Sequence, residues 1–199
     1  MGERKKYRRG RRKKKKGGII STLILIIAIA VFCVSGYQLY KIFGGYHQGK
    51  SEYDKVREVA VHGDDKDEDE FVVDFDELKK INADTVGWIR FYPEPSQISY
   101  PLVQTTDNDL YLNRTFSANE NTVGAIFVNC DNALDFSDRN TIIYGHRMRD
   151  HSMFHDLEKY KDESFWKENP YFYVYTPDGR KLTCHIYSAG IVKDTSSTY

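Results

Sequence analysis

The sequence predicts a mostly β domain that follows one N-terminal transmembrane helix. Residues 19–40 form a strongly apolar run without a charged side chain. The chain of 199 residues also contains 15 Tyr and 11 Phe, and aromatic side chains favour strands over helices. After residue 84, short apolar runs alternate with turn residues, which is typical of a barrel or a mixed sheet.

The apolar run at 19–40 is long enough to cross a membrane, because about 20 helical residues span the hydrocarbon core of a bilayer. It continues through Phe32 and Tyr37 and is longer than the apolar core of a cleaved signal peptide, which favours an uncleaved anchor. Cleavage near Ala28 or Ala30 is the alternative interpretation. We therefore expect a single-pass protein of the cell membrane.

The basic segment at residues 1–18 decides the predicted orientation. Eleven Lys or Arg lie between residues 4 and 16. Basic residues stay on the cytoplasmic side during insertion, so the N-terminus is expected in the cytoplasm and the domain outside. A nucleic-acid-binding arm is the alternative, but the position next to a spanning helix favours contact with anionic lipid headgroups. No nucleic-acid partner is predicted.

Residues 41–70 are predicted to be an extracytoplasmic linker. They contain Gly44, Gly45 and Gly49, show little periodic hydrophobicity and end in the acidic patch at 64–70. A calcium site is the alternative interpretation of this patch, but it lacks the central Gly and the terminal Glu of a calcium loop. The acidic residues are therefore interpreted as part of a solvated linker.

Residues 71–199 are predicted to form the folded domain. A helix is expected at 74–82, where Asp74 and Glu77 have the spacing of a capping box. Short helices at 153–169 should end before Pro170, and the PDG sequence at 177–179 predicts a turn. Strands are expected in six apolar runs: 86–91, 99–104, 123–129, 140–146, 171–176 and 181–192.

His146 is the candidate catalytic residue, because it stands where an apolar strand meets a loop. Its imidazole can exchange protons near neutral pH, whereas the structural alternative is a histidine bonded to a carbonyl group. A metal site built from His146, His151 and His155 is a further interpretation. Because an HExxH motif, a Cys pair and supporting carboxylates are missing from it, we predict neither a metal nor a cofactor.

Three cysteines occur in the chain, and Cys33 lies within the apolar run. The other two, Cys130 and Cys184, are enough for one disulfide bridge, but their number alone does not establish the bond. Either thiol is also a candidate nucleophile, with a half-buried structural role as the alternative.

The stretch at 140–179, NTIIYGHRMRDHSMFHDLEKYKDESFWKENPYFYVYTPDG, closely resembles class B sortases, the membrane-anchored cysteine transpeptidases of Gram-positive bacteria. The sequences VGWIRF at 86–91, ISYPLVQTTDNDLYLNRTF at 98–116 and GAIFVNCDN at 124–132 are also similar to that family. The resemblance extends from about Phe71 to the end of the chain. It implies a sortase-like closed β-barrel with short helices.

The resemblance also implies a reaction and its partners. His146 matches the family's catalytic histidine, and Leu112 and Tyr144 match positions near its substrate groove. In this family a cysteine attacks the Thr carbonyl of a sorting-signal peptide, and an amine of the peptidoglycan precursor resolves the thioester. This acyl transfer requires a nucleophile, an acid for the leaving amine and donors for the oxyanion.

The family's nucleophile lies in a TLxTC-like motif on a later strand, followed by an arginine on the next strand. We expect both strands beyond residue 199, so the chain is interpreted as C-terminally incomplete. Cys184 in KLTCHIY lies on an earlier strand, and Leu182 directly precedes Thr183 where the motif has an intervening residue. Two hypotheses follow: a piece of an active enzyme, or a truncated, inactive homologue that acts as a membrane-tethered binding module.

Overall fold

The computed structural model describes residues 17–63 and 70–193, and the chain divides into two units at residues 1–42 and 43–199. Helix α1 (Gly17–Ala60) begins in the first unit and ends in the second. In the first unit its apolar side chains are exposed. By length and composition α1 can cross a membrane, since an 18-residue window within it has a mean hydropathy of 2.4.

The second part of α1 differs from the linker that we predicted at 41–70. Tyr53, Val56 and Ala60 have exposed fractions of 8%, 3% and 0%, so they are part of the domain core. Residues at positions i, i+3 and i+7 lie on one face of a helix, and this face is covered by the domain. The helix therefore extends the domain toward the N-terminus. The acidic residues 64–69 lie outside the described residues.

A small hairpin and a short helix follow α1. Strand β1 (Val61–His62) pairs antiparallel with β2 (Val72–Val73), and helix α2 covers Phe75–Ile81. The carboxylate of Asp74 accepts hydrogen bonds from the backbone N–H groups of Asp76 and Glu77, both at 3.0 Å. The predicted N-cap is therefore confirmed. The side chain of Glu77, the other residue of the predicted capping box, instead contacts Lys80 at 2.6 Å.

Six described strands form the central mixed sheet in the order β6-β5-β4-β3-β7-β8. The β4–β5 pair is parallel, and the other neighbouring strands are antiparallel. The strands are β3 (Thr85–Phe91), β4 (Ser99–Val103), β5 (Ile126–Val128), β6 (Ile143–Tyr144), β7 (Tyr171–Tyr175) and β8 (Lys181–His185).

The predicted strands all occur, but β4 and β7 end one residue before their apolar runs and three other strands are much shorter than theirs. Strands β5, β6 and β8 cover only part of 123–129, 140–146 and 181–192. The PDG turn is confirmed, because the Thr176 N–H donates to the Arg180 carbonyl at 3.0 Å between β7 and β8. Within the described residues β6 and β8 each have one neighbour, so the curled sheet is a half-barrel.

The core lies on the central sheet, where every residue of β3 is buried. Large apolar side chains with less than 2% exposure include Trp88, Phe116 and Ile126. Each such side chain stabilises the fold by about 1.5–3 kcal/mol relative to an exposed one. Burial therefore holds the central strands of the sheet in place.

Besides α2, three short helices lie outside the sheet in the described part of the chain. Two are 3₁₀-helices, at Leu110–Leu112 and His155–Lys161, and α3 covers Glu163–Glu168. Asp162 separates two of the short helices predicted at 153–169, because its carboxylate caps α3 by accepting from the Ser164 N–H at 2.9 Å. Helix α3 ends before Pro170, as predicted.

Candidate active site

His146 follows strand β6 and is held by the loop that contains the first 3₁₀-helix. Its Nε2 atom lies 2.6 Å from the carbonyl oxygen of Leu112, although the two residues are 34 positions apart. The carbonyl can only accept, so Nε2–H donates and Nδ1 carries the lone pair of the neutral ring. The structure therefore brings together two of the three predicted site residues and leaves Nδ1 as the atom that can accept a proton.

Gly124 makes this contact sterically possible. It has φ of +66°, and a Cβ atom there would lie 2.8 Å from Cδ2 of His146. The same Cβ would lie 2.9 Å from the carbonyl oxygens of Tyr111 and Leu112. A larger residue would therefore meet the imidazole and the backbone that holds it at the same time.

Helix α1 supports the site through Tyr53. The Tyr53 hydroxyl donates to the Gly124 carbonyl at 2.8 Å and accepts from the Phe116 N–H at 3.2 Å. These bonds are buried, which makes their loss costly. The helix thus fixes the backbone segment on which the His146 ring rests.

Tyr144, the third predicted residue, occupies a separate position on β6. It pairs with Phe127 across the β5–β6 ladder, and the two ring centroids are 5.0 Å apart. Asn129 Nδ2 donates to its hydroxyl at 3.1 Å. Tyr144 is therefore oriented by β5.

The metal site that we considered from His146, His151 and His155 is arranged differently in the structure. His151 and His155 group with Asp156, and their potential ligand atoms lie within 4.8 Å of one another. His146 is not a member of this group. Its role is therefore considered separately from metal binding.

The sequence is similar to two curated sortases. Sortase B of Listeria monocytogenes is 34% identical over 157 residues, which cover 75% of this chain and 61% of that protein. Sortase B of Staphylococcus aureus is 30% identical over 148 residues, which cover 74% of this chain and 60% of that protein. No family model matches the chain.

The fold is similar to solved sortase structures. Sortase B from Bacillus anthracis in complex with AAEK1 has a TM-score of 0.64 at 32% identity, and the match covers 78% of this chain and 76% of that chain. The chain belongs to the class B sortase family. The sortase-like fold predicted from the sequence is thereby confirmed. The matched region spans 61% and 60% of the length of the two curated relatives.

The described cysteines of this class B sortase are free thiols. Cys184 lies on β8, at the opposite end of the described sheet from β6. Burial raises the pKa of the Cys184 thiol, which lowers the fraction of reactive thiolate. The Cys130 N–H donates to Asn108 Oδ1 at 2.9 Å, immediately after β5. In the described part of the chain, the ring of His146 bonds to Leu112 and not to a thiol.

An apolar cleft of about 780 Å³ lies close to the candidate site of this sortase. Its lining includes Ile143 and Arg147, on either side of the candidate residues, together with Phe91, Phe172 and Ile191. His146, Leu112 and Tyr144 do not line it. The candidate residues therefore lie outside the lining of this cleft.

Sequence reasoning missed the parts of the sortase site that depend on distant contacts. Gly124 was included only in a motif, and Tyr53 was placed in the linker. The spacing of Tyr53, Val56 and Ala60 is a signal that would have indicated a buried helical face. The closeness of Gly124 to His146 has no comparable local signal.

Proposed function

We propose that this chain carries the histidine half of a class B sortase, a cysteine transpeptidase that joins surface proteins to peptidoglycan. The proposal is supported by membership of the family and by the position of His146 after β6. A cysteine thiolate would attack the Thr carbonyl of a sorting signal. The C–N bond then breaks, a thioester forms and the amine leaves with a proton.

His146 is proposed as the group that supplies this proton. The hydrogen bond to the Leu112 carbonyl fixes the ring through Nε2, so Nδ1 can take up and return a proton. In the second half of the reaction, an amine of the peptidoglycan precursor attacks the thioester and the thiol leaves. This reaction needs no cofactor. We assign the nucleophile to none of the described cysteines.

Leu112 and Tyr144 are proposed to contact the sorting-signal peptide. Leu112 adjoins His146 through its carbonyl, and its side chain packs against the core. The Tyr144 ring stands on β6, two residues before His146. Both positions are therefore close in sequence or space to the proposed proton donor.

The protein is proposed to span the cell membrane once, with a cytoplasmic N-terminus. The length and hydropathy of α1 support the span, and the basic segment at 1–18 supports the orientation. Protease added to intact protoplasts should degrade the folded domain and spare an N-terminal epitope. Digestion of the N-terminal epitope instead would contradict this orientation.

The activity is tested on the protein as its cell produces it, purified in detergent. A fluorescence-quenched sorting peptide and an oligoglycine amine serve as substrates, and mass spectrometry identifies the joined product. We expect His146→Ala to reduce turnover by about 10²–10⁴-fold, the usual contribution of general acid–base catalysis. The exposed His47 supplies a matched control, because His47→Ala should retain the wild-type rate.

The second candidate function is a membrane-tethered binding module without turnover. The raised pKa of the Cys184 thiol and its place on β8, at the opposite end of the described sheet from β6, favour this alternative. Peptide binding without cleavage by the wild-type protein would support the binding module over the enzyme. A protein that neither binds nor cleaves the peptide would contradict both functions.

A further inference from the structure

The segment after His146 brings two imidazoles and a carboxylate together outside the proposed catalytic site. His151 and His155 have ring centroids 4.1 Å apart, and Asp156 directly follows His155. One potential ligand atom from each residue lies within 4.8 Å of the other two. His155 and Asp156 are buried with 7% and 4% exposure, whereas His151 is exposed.

His155 has a defined orientation. Its Nδ1–H donates to the Met148 carbonyl, so Nε2 carries the lone pair of the neutral ring. This Nε2 faces Oε1 of Glu158 at 3.4 Å. A lone pair and a carboxylate oxygen attract each other only when a proton or a metal cation lies between them.

A histidine that binds a metal usually donates its other ring N–H to a carbonyl or carboxylate. The bond from His155 to Met148 has this arrangement. His151 Nδ1 lies 3.3 Å from Asp156 Oδ1. Ligand atoms bound tetrahedrally to Zn²⁺ at about 2.0–2.1 Å are separated by about 3.3 Å, and both nitrogen–oxygen pairs are close to that separation.

The carboxylates of Asp156 and Glu158 each bind a basic side chain through one oxygen and direct the other toward an imidazole. Lys159 contacts Asp156 Oδ2 at 2.9 Å, which leaves Oδ1 directed toward His151. Arg147 binds Glu158 Oε2 at 2.6 Å, and Oε1 faces His155. Each carboxylate thus has one oxygen directed toward the imidazoles.

We propose that His151, His155 and Asp156 bind a divalent transition-metal ion, with Glu158, which faces His155 from outside this group, as the fourth ligand. Imidazole and carboxylate donors together favour Zn²⁺ over Ca²⁺ or Mg²⁺, which prefer oxygen ligands. The three potential ligand atoms lie within 4.8 Å of one another, and the exposed His151 is the member whose side chain is free to adjust to a metal ion.

The metal would stabilise the backbone next to the proposed catalytic histidine. Phe154 lies between His151 and His155, and its N–H donates to the His146 carbonyl at 2.9 Å. Ligands on both sides of Phe154 would therefore hold the turn that supports His146. This role is structural, since the cluster and the imidazole of His146 are separate.

The test is Co²⁺ binding to the full chain in detergent, with no histidine tag and with thiols blocked by N-ethylmaleimide. Co²⁺ in a site with nitrogen ligands absorbs visible light, so titration reports affinity and stoichiometry without an assay of activity. We expect one equivalent to bind and to be displaced by Zn²⁺. His151→Ala and Asp156→Asn should each raise Kd at least about tenfold.

The exposed His47 provides the matched control, and His47→Ala should leave Kd unchanged. His151 is exposed, so its substitution removes a ligand without leaving a cavity in the core. Circular dichroism verifies that each variant is folded. Absence of saturable Co²⁺ binding would overturn the proposal, as would equal affinity in the wild type and the two ligand variants. Peptide cleavage is not measured, so failure here leaves the proposed sortase activity unaffected.

Discussion

A Cβ atom on Gly124 would lie 2.8 Å from Cδ2 of His146. Carbon atoms in contact normally lie about 3.5–4.0 Å apart, so this position accepts no side chain unless the histidine or the backbone moves. The glycine also has φ of +66°, where residues with a Cβ are strained. The steric contacts and the backbone conformation therefore both require glycine at position 124.

We predict that Gly124→Ala destabilises the protein by about 1–3 kcal/mol and displaces the His146 ring. Thermal unfolding followed by circular dichroism measures the first effect. The second is measured as a change in the imidazole NMR signals. Gly190→Ala is the control, because a Cβ at Gly190 would meet nothing within 4 Å. Equal stability of the two variants would contradict the steric argument.

Local signals predicted much of the domain. Asp74 caps α2, β3 covers its predicted run and begins one residue earlier, and the PDG turn joins β7 to β8. Each of these features depends on neighbouring residues, since caps, turns and apolar runs act over a few positions. Sequence reasoning is therefore most effective where the chain determines its own local conformation.

Long-range contacts explain where the structure differs from the sequence predictions. The 43–60 part of α1 was assigned to a linker, although Tyr53 and Val56 are buried against the domain. His146 was identified from its place after a strand, but its bond to Leu112 crosses 34 positions. Similarly, Asp156 was not included among the possible metal ligands. Such partners are fixed by the packing of the sheet and loops, which the local pattern does not specify.

Tyr53 gives the second prediction. Its hydroxyl bonds to the Gly124 carbonyl and the Phe116 N–H, so Tyr53→Phe leaves both buried backbone groups without this partner. An unsatisfied buried group costs about 1–3 kcal/mol, and we expect destabilisation within that range. Guanidinium denaturation measures the change in unfolding free energy. Tyr187, which is 91% exposed, provides the control Tyr187→Phe, and a loss of equal size in that variant would reject the explanation.

Tyr111 gives a prediction about alkaline pH. It is 2% exposed, donates to Asp84 Oδ2 at 2.9 Å and accepts from Asn82 Nδ2 at 2.6 Å. Burial is the main cause that raises the pKa of Tyr111 to about 12. The Asn82 bond opposes this change, whereas the bond to Asp84 adds to it. The folded protein therefore holds the hydroxyl proton more tightly than the unfolded chain.

A raised pKa stabilises the folded state below the unfolded value of about 10, and this contribution is lost as pH rises toward the folded value. We therefore expect the unfolding free energy to decrease between about pH 10 and pH 12, with a smaller slope in Tyr111→Phe. Guanidinium denaturation at several pH values, followed by circular dichroism, measures both slopes. Tyr187→Phe should retain the wild-type slope, because its hydroxyl is exposed. Identical slopes in Tyr111→Phe and the wild type would show that this buried hydroxyl does not contribute to alkaline destabilisation.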